Sequence, residues 1–173
     1  MIKNRIFFAL LLFMVGVSCS LSVNAETLRE RLMTVAGELK IVQLDEGELG
    51  NQYAVILDGN VILKTDFDDE YGRFTGFPIP RMFKHFKNGI RPYDEVILFQ
   101  QGMWGNACDG GPLWFLGLNK NGSFSMSANI DFCGGDAPIV RQKGDAITLI
   151  FSGETWVYQK GEARQIRRSN KKR

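Results

Sequence analysis

Along the chain, short stretches of alternating or clustered apolar residues are separated by glycine, asparagine and aspartate. The clearest runs from Ser123 to Phe132. There Phe124, Met126, Ala128, Ile130 and Phe132 share one parity, and Ser123, Ser125, Ser127, Asn129 and Asp131 the other. A period of two predicts a half-buried strand. The apolar run Leu113 to Leu118 precedes it, and Asn119-Lys120-Asn121-Gly122 between them tolerates the positive φ of a tight turn, so the two form a predicted β-hairpin. Further strands are predicted at Leu39 to Leu44, Tyr53 to Leu57, Val61 to Lys64, Glu95 to Gln100, Ile139 to Gln142, Ala146 to Phe151, Thr155 to Gln159 and Ala163 to Ile166. Asp58-Gly59-Asn60, Lys143-Gly144-Asp145 and Lys160-Gly161 read as turns.

Two segments depart from this pattern. Thr27-Leu28-Arg29-Glu30 fits a helix capping box, and Leu28, Leu32, Val35 and Ala36 follow at helical spacing with Gly37 as a stop, so a helix is predicted over about 27 to 36. The stretch from Asp66 to Pro92 contains Pro78, Pro80 and Pro92 and reads as a long structured loop with one helical turn around Arg81 to Lys87. No second helix stands between strands to make parallel crossovers. The expected fold is therefore mainly β: an antiparallel sandwich or barrel of about nine short strands, one N-terminal amphipathic helix and one disulfide.

The first 25 residues stand outside this domain. Lys3 and Arg5 precede an apolar run from Ile6 to Val17, and Val23-Asn24-Ala25 supplies small residues at the exit. That order is a secretory signal peptide, cleaved after Ala25. The run is too short for a bilayer span, which takes roughly 20 residues. Gly16-Val17-Ser18-Cys19 loosely matches a lipoprotein cleavage box, with Gly16 where leucine is usual, and lipidation at Cys19 is the weaker alternative. Either route places the protein in the periplasm or outside the cell. Residues 26–166 form the single β-rich domain. Residues 167–173 contain no apolar side chain and are expected to be a disordered basic tail.

Export changes the meaning of the charge. The whole chain has 21 Lys and Arg against 19 Asp and Glu, a net +2, but the leader takes two cations with it. Arg164, Arg167, Arg168, Lys171, Lys172 and Arg173 then concentrate +6 in the last ten residues and leave an acidic body at −6. Nucleic acid is scarce where the signal sends the chain and is not an expected partner. A weak contact of the basic tail with an anionic envelope surface is.

Export also decides the cysteines. Cys108 and Cys133 remain, an even pair in an oxidising compartment. Opposed residues of a hairpin have a constant sum. A loop at 119 to 122 sets it at 241, the sum of 108 and 133, while a turn centred on Asn121-Gly122 gives 243. The two thiols are expected to meet as a disulfide, worth roughly 3 to 4 kcal/mol in the chain-entropy model. A catalytic Cys108 would need a reduced thiolate and a base, against which its partner cysteine weighs.

Catalytic chemistry is sparse. His85 is the only histidine, and it lies among Arg81, Lys84 and Lys87 in a stretch that reads as a solvated basic face. With both thiols oxidised, the ligands for zinc are too few, and neither a metal nor a cofactor is expected. Asp66, Asp68, Asp69 and Glu70 open like a calcium loop, but Tyr71 and Phe77 occupy the positions where an EF-hand has glycine and glutamate, so an acidic loop is the default. The glycine-rich segment from Gly102 to Gly111 presents Trp104, Asn106 and Asp109, and with Arg81 and Lys84 these are the candidate binding residues.

Ser152-Gly153-Glu154-Thr155-Trp156 followed by Tyr158-Gln159-Lys160-Gly161-Glu162-Ala163 faintly resembles two short motifs of the periplasmic inhibitors of c-type lysozymes. Those are small β-barrels whose serine and lysine loops enter the lysozyme cleft. Trp156 stands in place of that family's tyrosine, the motifs are closer together, and no site residue is carried over. The functional expectation is an exported, non-enzymatic protein that recognises another envelope or secreted protein, with an inhibitor or immunity role against a cell-wall hydrolase as its concrete form. An acidic body would suit a basic target of that kind. The alternatives are a small envelope hydrolase using a carboxylate pair, or a carbohydrate- or lipid-binding accessory module.

Overall fold

The computed structural model describes residues 27–47, 50–64, 79–88, 90–102, 111–132 and 137–167. These form twelve strands in chain order: β1 (Thr27–Thr34), β2 (Gly37–Gly47), β3 (Gly50–Leu57), β4 (Asn60–Lys64), β5 (Ile79–Phe86), β6 (Glu95–Gly102), β7 (Leu113–Leu118), β8 (Phe124–Met126), β9 (Ile139–Lys143), β10 (Ala146–Phe151), β11 (Glu154–Gln159) and β12 (Glu162–Arg167). They build three four-stranded antiparallel sheets, β1 to β4, β5 to β8 and β9 to β12, each a meander in which chain neighbours are spatial neighbours. The mainly-β expectation holds. The predicted signal segment, the acidic cluster, Cys108, Cys133 and residues 168–173 lie outside the described residues.

The second sheet supplies both cores. Ile97 and Phe99 of β6 with Trp114, Leu116 and Leu118 of β7 pack against Leu39, Ile41, Val55 and Leu57 of the first sheet. Val96, Leu98, Leu113 and Phe115 pack against Ile147, Leu149, Phe151 and Tyr158 of the third. Alternate side chains of one strand leave opposite faces, so every residue of β7 is buried and its sequence reads as an unbroken apolar run. Ring stacking fixes both contacts. Phe99 stacks on Trp114 at 4.1 Å within the sheet, and Phe115 stacks on Tyr158 at 4.2 Å across to β11.

Three expectations are corrected. Residues 27–34 are strand β1, not helix, and no described residue is helical. The candidate helix was about three turns long, too short to be stable by itself. Pairing with β2, from Thr27↔Gln43 to Thr34↔Gly37, satisfies the same backbone through tertiary contact. Gly37, read as a helix stop, instead takes φ 110 in the turn between the two strands. A β-carbon there would meet Asp58 at 2.8 Å. Ile79 to Phe86 is likewise a strand, not a loop with a helical turn, paired with β6 from Ile79↔Gly102 to Phe86↔Val96 and bulged between Met82 and Lys84. Proline is admissible because β5 is an edge strand.

The predicted hairpin forms with a shifted register. Leu118↔Phe124 and Leu116↔Met126 sum to 242, between the 241 of the four-residue loop and the 243 of a turn centred on Asn121-Gly122, and the bridge Leu113↔Ile130 sums to 243. The extra residue lies at 127 to 129. Ser127 Oγ there accepts the Phe115 N–H at 2.9 Å, and its own N–H donates to Phe115 O at 2.9 Å. Regular pairing therefore stops at Met126. Phe124 and Met126 are exposed on this short edge strand, and only Ile130 and Phe132 of the alternating set reach the core.

Candidate functional site

Glu30 to Leu32 of the edge strand β1 and Met82 to His85 of the edge strand β5 line an open groove of about 400 Å³. Leu32, Met82 and Phe83 give it an apolar lining, with Glu30, Arg31, Lys84 and His85 around them. The bulge at Phe83 shapes this floor: Met82 packs into the core shared with the first sheet and Phe83 into the core shared with the third.

Of the sequence candidates, Arg81 and Lys84 lie on β5, opposite Gln100 and Leu98, and so point to the same side of the sheet. Arg81 Nε donates to Gln100 Oε1 at 3.0 Å. Lys84 Nζ reaches Val140 O at 3.4 Å and lies 5.6 Å from the centre of the Phe86 ring, tying the second sheet to β9. Trp104, Asn106 and Asp109 are outside the described residues. The segment that holds them starts at Gly102, opposite Ile79 and two residues from Arg81 along β5.

A polar cluster that sequence patterns did not reveal sits at one end of the groove. Glu95 is 7% exposed and opens β6. Its Oε2 accepts the Val35 N–H at 2.9 Å from the β1–β2 turn and stands 3.4 Å from His85 Nε2. That nitrogen is buried and makes no hydrogen bond among the described residues, so the solvated face expected for His85 is not observed. Glu30, the supposed capping residue, accepts the Met82 N–H at 2.7 Å. Each carboxylate thus holds a backbone N–H from the other sheet. A buried acid whose oxygens satisfy orphan donors is a cross-link between layers. Neither glutamate was legible as a site, because each lies in a different segment from its partner and only sheet packing joins them. Among the described residues no group of three or more His, Cys, Asp or Glu gathers as a metal site would require.

No family model matches the chain, and no curated protein or solved structure matches it either. The geometry also bears on the likeness to lysozyme inhibitors. Ser152-Gly153 and Lys160-Gly161 are the turns before and after β11, at opposite ends of a six-residue strand. They are separated by roughly 20 Å at 3.3 Å per residue, and do not form neighbouring loops for one cleft.

Proposed function

We propose that the chain is an exported binding protein with no chemistry of its own, that it recognises another envelope or secreted protein, and that inhibition of a cell-wall hydrolase or immunity to one is its role. The groove between β1 and β5 carries this reading. Edge strands offer unpaired backbone groups, and an extended partner segment can add to one of them while its side chains enter an apolar trough. Leu32, Met82 and Phe83 line the trough and Arg31 and Lys84 flank it, an arrangement of apolar centre and charged rim common to protein interfaces. Glu30 in the groove and Glu95 beside His85 are engaged by backbone donors, which favours binding over hydrolysis. A disulfide between Cys108 and Cys133 and a layered sandwich belong to the same proposal.

A photo-crosslinking residue at Arg31, exposed on the rim, tests it in the exported full-length protein, with Lys120 in the β7–β8 turn as control. The expected result is one adduct with one envelope protein from position 31 only. That protein, once purified, binds the parent chain and not Leu32→Arg. Identical adducts from both positions, or none in repeated trials, would refute the reading.

A further inference from the structure

The outward face of the third sheet has a composition that the groove does not explain. Odd residues of β10 enter the core, so Thr148 and Ile150 point away from it, and the pairing carries that face across all four strands. One cross-strand row runs Ile139, Ile150, Thr155, with Ile166 in the bulge of β12. The next runs Arg141, Thr148, Val157, Arg164. Ile139 is 52% exposed and Ile166 66%, and no described element covers them. The two lie on opposite edges of the sheet, about 14 Å apart at 4.8 Å per strand. A shallow hollow of about 350 Å³ opens between Lys160, Arg164, Val157 and Ile166, with Glu162 in its wall and bonded to Arg164 Nε at 2.9 Å.

Cations dominate this surface. Residues 137–167 contain Arg141, Lys143, Lys160, Arg164 and Arg167 against Asp145, Glu154 and Glu162, and Asp145 is already occupied by Arg91 at 2.7 Å. The chain leaves β12 at the end of the sheet that carries the isoleucine row, and the next six residues add Arg168, Lys171, Lys172 and Arg173. A second copy is a poor occupant. Two such faces repel, and the outward face of the first sheet is also basic, with Arg31, Lys40 and Lys64 against Glu38, which Arg31 and Lys40 already hold. A flat basic surface with isoleucines along one row matches an anionic, partly apolar and extended partner.

We infer that the outward face of β9 to β12 docks on an anionic phospholipid surface, its arginines among the headgroup phosphates and Ile139 and Ile166 at the boundary with the acyl region. This surface is separate from the groove, so a protein partner and a membrane can be held together.

Co-sedimentation of the exported full chain with vesicles of phosphatidylcholine, or of phosphatidylcholine containing phosphatidylglycerol, tests the inference. Binding is expected only with phosphatidylglycerol and is expected to weaken with added salt. Each cation removed near such a surface weakens binding about fivefold, so Arg141→Gln with Arg164→Gln should cost about 25-fold. Ile139→Ser with Ile166→Ser should also weaken it, while Lys40→Gln with Lys64→Gln on the first sheet leaves it unchanged. All but the half-buried Lys40 are exposed positions, and unchanged thermal melts establish that the variants are folded. Equal binding to both vesicle types, equal losses from the two charge pairs, or binding abolished by removing residues 168–173 but insensitive to Arg141 and Arg164 would overturn the inference. Heparin binding without vesicle binding would overturn it as well and assign the face to a soluble polyanion.

Discussion

Gly117→Ala perturbs one contact in the middle of the molecule. Gly117 lies in β7, buried on both sides, and a β-carbon there would stand 2.4 to 2.6 Å from the Tyr93 ring. Contacts that close do not persist, so either the ring or the strand must move. The ring has little room. Its hydroxyl end lies against Gly161, so close that a β-carbon added there would stand 3.0 Å away, and the Tyr93 N–H is bonded to Ile90 O at 3.0 Å. Overpacking costs about 1 to 3 kcal/mol, and a ring confined at both ends belongs in the upper part of that range. Alanine's better strand propensity offsets about 0.5 to 1 kcal/mol, leaving a net loss of about 2 kcal/mol. For a domain of this length the melting temperature should fall by about 4 to 8 °C. Urea denaturation of a double-mutant cycle with Tyr93→Ala isolates the cause. Without the ring, Gly117→Ala should be neutral or stabilising by up to about 1 kcal/mol. An equal loss in both backgrounds would show that the Tyr93 contact is not what requires glycine.

Three further outcomes follow from other contacts. Burial, with Tyr93 contributing, pushes the Tyr158 phenol above its ordinary value, so the folded chain keeps it neutral where the unfolded chain ionises. Its contribution is complete below about pH 10 and is lost above it by up to about 1.4 kcal/mol per pH unit. Tyr158→Phe should flatten the alkaline fall in stability, and parallel curves for the two proteins would contradict this. Glu95→Ala strands the Val35 N–H beside a buried His85 nitrogen and should cost about 3 kcal/mol, with hydrogen exchange at Val35 accelerating more than at its neighbours; uniform acceleration would mean that no local tie was cut. Exported protein examined by non-reducing mass spectrometry should lack two hydrogens relative to its reduced form, and free thiols at Cys108 and Cys133 would exclude the disulfide.

The strands that sequence patterns located best are those whose signals are local. Asp58-Gly59 and Lys160-Gly161 are turns because Asp58, Gly59, Lys160 and Gly161 adopt positive φ at 47, 82, 54 and 85, which their residue types or hairpin geometry permit. β10 was legible from its apolar run. β1 and β5 were not, for opposite reasons. In β1 a capping box and helical spacing imitate a helix; of that set Leu28 is exposed, Leu32 packs inward from the strand, and Val35 and Ala36 pack inward from the turn that follows it. In β5 the extra residue at Phe83 breaks the period of two and Pro80 suggests a loop, so no pattern remains to read. His85 meets Glu95, and Glu30 reaches the Met82 N–H, only because β1, β5 and β6 pack together. A site assembled in this way has no signature at fixed spacing.

The consecutive order of the sheets also affects how such a chain is made. β1 to β4 occupy residues 27–64, β5 to β8 residues 79–126 and β9 to β12 residues 139–167, with no strand exchanged between them. During synthesis each group of four strands can zip along its hairpins before the next emerges. The second sheet gains partners for both of its apolar faces in sequence, first on one side and then on the other. Until the third arrives, Val96, Leu98, Leu113 and Phe115 have no cover from it. A chain truncated before Ile139 should aggregate through that face.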